Sequence, residues 1–319
     1  MAKSKLLKRV KTEIRRRNYS YRTEKAYIRW IIRFIKFNKR TYPTSLGEEE
    51  VVAFLNWLAT ERNVAASTQN QALCAIVFLY KQVLKQPLGE LENLKRAKEP
   101  KHLPVVLSPR EAKRILKNME GDAGLMAEIL YGSGLRQSEC LRLRVQDIDF
   151  EFSQIWVRNG KGKKDRVTVM PEACREKLKN QVERVKVRHQ KDLDEGYGAV
   201  VLPKALSKKY PSQVISLGWQ YLFPSDERSR DPRSGLVQRY HKSSSYLHKA
   251  VKEAVRQTNI IKKVSCHTFR HSFATHLLMD GYDIRTVQEL LGHKNVKTTM
   301  IYTHVLKKGG KGVKSPIDS

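Results

Sequence analysis

Cysteine is scarce in this chain of 319 residues, and the four cysteines, at positions 74, 140, 174 and 266, lie far apart. The spacing contains no Cys-x-x-Cys pair, so we expect reduced thiols in a cytoplasmic protein. No apolar run approaches the roughly 18 residues of a membrane-spanning helix. The basic N-terminus, residues 1–9, also lacks the apolar stretch of a secretory signal. We therefore expect no membrane partner.

Acidic residues are outnumbered almost two to one. The chain has 62 Lys and Arg against 32 Asp and Glu, for a net charge of +30. Residues 1–40 alone contain fifteen basic and two acidic residues. Positive charge spread over a folded chain is typical of proteins that bind polyanions. The composition indicates a nucleic-acid partner, but an RNA-coating protein would share it, and charge alone does not indicate catalysis.

The first hundred residues show helical patterns only. One helix is predicted to begin with a cap at Ser20 or Thr23, followed by apolar side chains at helical spacing. Its opposite face carries Arg22, Lys25 and Arg29. These three are candidates for contact with DNA phosphates, with a solvated surface as the alternative. Further helices are predicted over residues 48–61 and 68–86.

The chain is predicted to form two domains. Residues 88–104 have little periodicity and contain two prolines, which is typical of a linker. We therefore divide the chain into a helical N-terminal domain over residues 1–95, a linker over 96–106 and a second domain over 107–319. Within the second domain, residues 191–240 fit no regular pattern.

The second domain is predicted to be mainly α-helical with a small β-hairpin. Ser108, Pro109 and Glu111 combine an N-cap, a first-turn proline and a capping-box glutamate. Residues 154–158 and 166–170 alternate as strands do and are joined by a basic tip. Helices are predicted over residues 108–143 with a break at 132–134, and over 172–190, 245–257, 268–280, 283–291 and 298–305.

Several side chains in this domain fit the requirements for breaking a phosphodiester. The reaction needs a nucleophile, and the Tyr302 hydroxyl, with a reference pKa of about 10, needs a partner to lose its proton. Arg136 and Arg270 can supply permanently charged, fork-shaped donors to the non-bridging phosphate oxygens. His293 follows a helix-ending Gly292, where an exposed imidazole can reach the phosphate.

Three further residues complete the candidate site. His267 lies one helical turn before Arg270, so both are expected on one face. Lys161, on the hairpin tip, is suited to protonate the leaving 5′ oxygen as general acid. Glu139, one turn after Arg136, is predicted to hold that arginine or His267 in place, with an ordinary surface carboxylate as the alternative.

A metal site was weighed on the helix that contains His267. His267 and His271 have the i,i+4 spacing of a zinc site, but no Glu follows His267 and no third ligand is well placed. We expect no metal, and we interpret His271 and His276 as packing or surface histidines. Thr298 and Thr299 are expected to cap the short helix that carries Tyr302.

In this order and spacing, the motifs Gly134-Leu135-Arg136, Gly160-Lys161-Gly162, His267-x-x-Arg270, Leu290-Leu291-Gly292-His293 and Tyr302 resemble the tyrosine recombinase (phage integrase-like) family. The resemblance implies a two-domain, C-shaped DNA clamp. It implies attack by Tyr302 to give a 3′-phosphotyrosine and a free 5′ hydroxyl, with no cofactor, since neither metal nor ATP is needed. Exchange of four strands implies a homotetramer on DNA, associated with the nucleoid.

Two features are similar to integron integrases in particular. Residues 19–27 look like the start of those proteins. The 105 residues between Lys161 and His267 leave room for the insertion that those proteins carry, and the resemblance places it at about residues 191–240. In that family the insertion helps to recognise folded single-stranded recombination sites, whose unpaired bases are bound by stacking. The candidates for such DNA contacts are Trp219, Pro232, Arg239 and His241. A place in the core remains an alternative for Trp219.

Other readings remain open. A Xer-like or phage-type recombinase would keep every catalytic residue and act on duplex sites. A type IB topoisomerase would relax supercoils within one duplex by similar chemistry. A binding-only architectural protein with a decayed site belongs to a different class, but all six catalytic positions hold chemically competent residues.

Overall fold

The computed structural model of the protein describes residues 2–86, 88–89, 97, 103–158, 165–202, 209–305 and 317. The chain divides into two compact units, Met1–His102 and Leu103–Ser319. The division falls inside the segment expected to be a linker. Among the described residues, no helix is long and apolar enough to cross a membrane.

The first unit is built from helices. Their bounds are α1 Ala2–Arg16, α2 Tyr21–Phe37, α3 Glu48–Thr60 and α4 Ala66–Phe78, which continues as a π-helical segment over Leu79–Leu84. The Ser20 side chain accepts a hydrogen bond from the Thr23 amide at 3.0 Å, so the predicted cap of α2 is confirmed. The apolar face of α2 enters the core, where Trp30 donates to Gln71 at 2.9 Å. The Tyr80 hydroxyl donates to the Pro43 carbonyl at 2.9 Å and so satisfies a buried polar group.

The second unit is mainly helical, as predicted, and its described residues form a small three-stranded sheet and a further pair of two-residue strands. Its helices are α5 Pro109–Lys117, α6 Gly121–Ser133, α7 Gln137–Cys140, α8 Arg175–Asp194, α9 Ser244–Arg256, α10 Cys266–Met279, α11 Ile284–Leu291 and α12 Val296–Thr299, followed by a 3₁₀ segment over Met300–Val305. Its strands are β1 Ile148–Asp149, β2 Gln154–Val157 and β3 Arg166–Val169 in one antiparallel sheet, and β4 Ser229–Arg230 and β5 Val237–Gln238 in a second.

The structure corrects several sequence-based boundaries, and the helical region predicted over residues 108–143 has a further break at residues 118–120. Strand β1 was missed because two residues are too few to show alternation. The last helical region is a short α-helix and a 3₁₀ segment, and Asn295, not Thr298 or Thr299, caps it by accepting a hydrogen bond from the Lys297 amide. The predicted capping box of α5 is confirmed, since Ser108 and Glu111 exchange both hydrogen bonds.

Helix α10 binds the chain near the start of the second unit. The Leu107 amide donates to the Ser272 hydroxyl at 2.9 Å, and the Leu107 carbonyl accepts from His276 Nε2 at 2.9 Å. The other nitrogen of His276 bonds the Tyr131 hydroxyl at 2.8 Å. His276 therefore has a packing role, and both backbone groups of one residue are fixed to a single helix.

Gly134 makes the turn between α6 and α7 and brings the start of α7 close to α10. Its φ of +63° lies in the left-handed region that glycine adopts at little cost. A β-carbon at this position would lie 2.3 Å from Phe273 Cδ1. The turn therefore needs glycine for its conformation and also for the close approach of the core.

Gly134→Ala should lower the free energy of unfolding by roughly 3 kcal/mol or more, because it combines left-handed strain with overpacking. Gly281→Ala is the matched control: Gly281 has a φ of +90°, and nothing lies within 4 Å of its added β-carbon. The control should cost only about 1 kcal/mol of strain. Urea unfolding of the two variants measures both effects, and equal losses would show that packing against Phe273 contributes nothing.

Candidate active site

A single carboxylate, that of Glu139, lies at the centre of the site. It belongs to α7, whose N-cap residue is Arg136, and its Oε2 accepts a hydrogen bond from the Arg136 amide at 2.9 Å. The Arg136 side chain reaches Oε1 at 2.6 Å. Arg166, on β3, contacts both oxygens at 3.1 and 2.7 Å. Arg270 Nη1 lies 3.7 Å from Oε2. Three guanidinium groups from three separate segments therefore surround one carboxylate.

The same three arginines bind successive carbonyls at the end of α11. Arg166 donates to Leu290 O at 2.8 Å, and Arg270 donates to Leu291 O at 2.6 Å. Arg136 lies 3.4 Å from Gly292 O. The last carbonyls of a helix have no partner within it and carry the negative end of its dipole, so cations stabilise them. The helix end thus adds a second set of acceptors that positions the arginines.

Charge in this cluster is unevenly balanced. Burial alone would raise the pKa of Glu139, but the hydrogen bond and charge of Arg166, with those of Arg136, lower it to about 2. The pKa of Arg270 is lowered by burial and by the charge of Arg136, and raised by Glu139. Three guanidinium groups face one carboxylate, so the cluster keeps an excess of positive charge that suits a phosphate.

His293 lies directly beside this cluster, as the left-handed Gly292 ends α11. Its Nε2 is 3.2 Å from Arg270 Nη2, and its Nδ1 is 3.0 Å from the Thr299 hydroxyl. Gln288 binds the His293 carbonyl at 2.9 Å. Both ring nitrogens therefore have partners that fix the plane of the imidazole. Thr299, expected as a cap, instead orients this histidine.

Tyr302 is buried, with 2% of its surface exposed, on the 3₁₀ segment after α12. Its hydroxyl bonds His271 Nδ1 at 3.0 Å, and its ring lies nearly parallel to that of His293 with centroids 6.4 Å apart. Burial raises the pKa of Tyr302, and the positive charges of Arg270 and Arg136 oppose that rise. The candidate nucleophile is therefore protonated and shielded from solvent.

The two remaining predicted site residues are His267 and Lys161. His267 is exposed at the start of α10, and its pKa is lowered by partial burial and by the charges of Arg270 and Arg136. Its ring centroid lies 6.3 Å from that of His271. Lys161 lies outside the described residues. The part of the chain that the structure describes holds no group of three His, Cys, Asp or Glu side chains suited to a metal ion.

Sequence reasoning missed two residues of this site. His271 was interpreted as packing or surface, yet it binds the candidate nucleophile; its position one turn after His267, on the helix of Arg270, was a usable signal. Arg166 was read only as a strand residue. Its contact with Glu139 joins positions 27 residues apart, which no local pattern reveals.

The basic residues proposed to contact DNA in the first unit share one surface. Arg22, Lys25 and Arg29 are all exposed on α2. With Tyr21 they line an open, concave surface that encloses a volume of about 1020 Å³. This surface joins positive charge to hydrogen-bonding side chains, including that of Gln71 from α4.

The candidates in the insertion have different surroundings. Trp219 is half-buried, and the Arg144 guanidinium lies over its ring at 5.4 Å from the centroid. Pro232 is exposed. His241 is half-buried, with its ring centroid 4.1 Å from that of Tyr240.

Arg239, the fourth candidate in the insertion, is engaged inside the domain. Its Nε and Nη2 each lie 2.6 Å from a carboxylate oxygen of Asp192, and its Nη1 bonds the Ser225 carbonyl at 3.1 Å. Contact of Arg239 with DNA would require these bonds to break. The observed role of this side chain is to fix the insertion to α8.

Glu139→Gln should lower the free energy of unfolding by roughly 3 kcal/mol at pH 7, because three guanidinium groups lose their anion. The folded pKa of Glu139 is about 2 and the ordinary value is 4.5, so its stabilisation is complete above pH 4.5 and is lost as the pH falls towards 2. The difference in free energy of unfolding between the variant and the wild type should therefore narrow below pH 4.5. Urea unfolding from pH 7 to 3.5 measures this difference, and Glu172→Gln at an exposed position is the control. A difference that stays constant over this pH range would contradict the ion-paired role of Glu139.

Comparison with known proteins identifies the family of the chain. The profile of the phage integrase family matches residues 105–308, and that of the phage integrase N-terminal SAM-like domain matches residues 6–90. An integrase/recombinase of Escherichia coli is 49% identical over 315 residues, covering 99% of this chain and 94% of that protein. The tyrosine recombinase XerA of Thermococcus onnurineus is 33% identical over 283 residues, covering 86% of this chain and 84% of that protein.

Two solved structures share the fold at low sequence identity. The Tn1549 transposon integrase in complex with transposon right end DNA has a TM-score of 0.62 at 18% identity, over 98% of this chain and 96% of that one. The XerH site-specific recombinase bound to palindromic difH substrate has a TM-score of 0.60 at 21% identity, over 92% of this chain and 79% of that one. The chain belongs to the phage integrase family of tyrosine recombinases, enzymes that cleave and rejoin DNA at specific sites.

Proposed function

We propose that this chain is an integron-type site-specific recombinase, which integrates and excises gene cassettes through a 3′-phosphotyrosine on Tyr302. The observation that carries the Tyr302 chemistry is the arrangement of Arg136, Arg166 and Arg270 around Glu139, with His293 and Tyr302 beside them. This arrangement combines fixed positive charge with a hydroxyl nucleophile, which is what phosphoryl transfer requires. The integron assignment rests on the insertion at about residues 191–240 and on its candidate stacking residue Trp219.

The scissile phosphate binds to Arg136 and Arg270. Their guanidinium groups are held by Glu139 and by the carbonyl end of α11, so they need little rearrangement when charge develops on the phosphate oxygens. Arg166 binds the same Glu139 carboxylate and so helps to hold Arg136 and Arg270 in place. His293 Nε2 accepts from Arg270 at 3.2 Å and so helps to hold that guanidinium towards the phosphate. His267, exposed at the start of α10, adds a further donor on the same side.

Cleavage then transfers the strand to the protein. The Tyr302 oxygen attacks phosphorus, the bond to the 5′ oxygen breaks, and Lys161 gives that oxygen its proton. The phosphotyrosine keeps the energy of the phosphodiester, so the free 5′ hydroxyl of a partner strand can reverse the reaction without ATP or metal. Exchange between two sites needs four such cleavages, so the working unit is a homotetramer on DNA.

DNA is held by both units in this proposal. In the first, Arg22, Lys25 and Arg29 contact phosphates from the concave surface of α2. In the second, Trp219 stacks on an unpaired base of a folded single-stranded site. A pocket of about 310 Å³ beside Trp219 supports this role, because it also contains Trp156 and Arg158 and so offers a ring and a cation together.

Tyr302→Phe should abolish the covalent protein–DNA complex on a suicide substrate, because only the hydroxyl oxygen is removed. The test uses nicked duplex and a folded single strand from an integron cassette, in the presence of EDTA, with denaturing gels to detect the complex. Thr303→Val, next to the nucleophile on the same segment, is the control and should keep the covalent band. A covalent band in Tyr302→Phe would refute the assigned nucleophile.

Trp219→Ala should weaken binding to the folded single strand by about 10-fold or more, and binding to duplex DNA much less, since one stacked base contributes about 1–3 kcal/mol. Trp219→Phe keeps an aromatic face and should retain most of the affinity for the folded strand. Fluorescence anisotropy with both DNA forms gives the comparison. Equal losses on the two substrates would place Trp219 in the core.

A Xer-like recombinase on duplex sites is the second candidate. Similarity to XerA proteins over most of the chain favours it, and it keeps every catalytic residue. It differs in the substrate: a nicked duplex would then form the covalent complex at least as well as a folded strand. The same suicide substrates therefore separate the two candidates.

A further inference from the structure

We propose that His271 is the group that removes the proton from the Tyr302 hydroxyl during attack on DNA. The inference rests on the proposed function, in which Tyr302 is the nucleophile. It adds a catalytic residue that lies outside the set of arginines, histidines and lysine expected from the sequence motifs.

The geometry of the contact suits proton transfer. The Tyr302 hydroxyl and His271 Nδ1 are 3.0 Å apart, within the range in which a general base takes a proton directly. In the tautomer that carries its ring hydrogen on Nε2, His271 Nδ1 accepts from the Tyr302 phenol, and the proposal assigns this tautomer. The ring centroids are 5.6 Å apart. The base and nucleophile are thus paired before any substrate arrives.

The other histidines of the site are placed for different tasks. His293 uses Nε2 towards Arg270 and Nδ1 towards Thr299, and its ring lies parallel to that of Tyr302 rather than end-on. His267 is exposed at the first turn of α10, and its ring is 6.3 Å from that of His271. Of the histidines in the described part of the chain, His271 makes the observed hydrogen bond to the nucleophile.

The surroundings of His271 connect its basicity to the substrate. Burial and the nearby His267 and Arg270 lower the pKa of His271 to about 4, so it is neutral and able to accept a proton near pH 7. A bound phosphodiester places a negative charge beside Arg270 and Arg136. This charge offsets the cations that disfavour protonated His271, so the transfer becomes easier when DNA occupies the site.

Each proton and each electron pair has a donor and an acceptor in the cleavage step. The Tyr302 O–H bond breaks, its proton moves to His271 Nδ1, and the oxygen pair forms the new bond to phosphorus. The bond between phosphorus and the 5′ oxygen breaks, and that oxygen takes a proton from the acid assigned to Lys161. In rejoining, protonated His271 returns its proton to Tyr302 as the phenol leaves.

The test compares His271→Asn with His276→Asn. Asparagine can still accept a hydrogen bond near the position of Nδ1, but it cannot act as a base. His276 is the matched control because it lies on the same helix and its Nδ1 also bonds a tyrosine hydroxyl, that of Tyr131 at 2.8 Å. The rate of covalent-complex formation is measured in single turnovers on the nicked suicide substrate from pH 6 to 9.

His271→Asn should form the complex about 10² to 10³ times more slowly at pH 7, which is the usual contribution of a general base. Its rate should rise about tenfold per pH unit, because hydroxide then takes the proton. The wild type and His276→Asn should share a flatter profile. A 5′-bridging sulfur in the substrate, which leaves without a proton, should rescue Lys161→Ala but not His271→Asn.

Three outcomes would overturn the assignment of His271. These are a His271→Asn rate equal to that of His276→Asn, a loss of rate that is the same at every pH, and rescue of His271→Asn by the sulfur substrate. Circular dichroism and DNA affinity of both variants establish that they are folded. Failure of the proposed function is seen separately, as a covalent complex that survives in Tyr302→Phe.

Discussion

The ion pairs of Glu139 are the interaction on which the rest of the site depends. One carboxylate links α7, β3 and α10, three segments that approach each other only in the folded domain. Without its charge, Arg136, Arg166 and Arg270 would repel one another at close range in a poorly solvated place. The carbonyl end of α11 contributes the second constraint, since each arginine also has one of its last three carbonyls as a partner. The cationic face is therefore preorganised by contacts that do not involve DNA.

The histidines on α10 and His293, which follows α11, have separate roles that depend on their hydrogen-bond partners. His271 faces the tyrosine, His293 faces an arginine and a threonine, and His276 faces the backbone of Leu107. In the proposed mechanism, similar chemical groups thus serve as a base, as an acceptor that positions Arg270 and as a packing residue. Spacing along a helix gives the face on which a histidine lies, whereas its protonation and its task depend on what the fold places opposite it.

Local chemistry explains why much of this fold was predictable. The capping box of Ser108 and Glu111, the cap at Ser20 and the helix end at Gly292 depend on neighbours in sequence, and the structure has all three. Long-range contacts were not predictable in this way. The bond between Tyr302 and His271 spans 31 residues, and that between Arg166 and Glu139 spans 27.

The motifs therefore predicted Arg136, Arg270, His293 and Tyr302, which the structure brings together, but they did not predict the partners Arg166 and His271. Arg166 carries no signal beyond its place in a strand, because its importance comes from the sheet bringing it to α7. The cap of the last helix was misassigned for a related reason. Thr299 is a good capping residue, but tertiary packing uses its hydroxyl to hold His293 instead.

The two hydrogen bonds of Leu107 have a mechanical consequence. The chain enters the second unit at Leu103, and four residues later both backbone groups of Leu107 are fastened to α10 by Ser272 and His276. The same helix carries Arg270 and His271, which lie within one turn of Ser272 and within two turns of His276. The start of the second unit is therefore tied directly to the helix that carries Arg270 and His271.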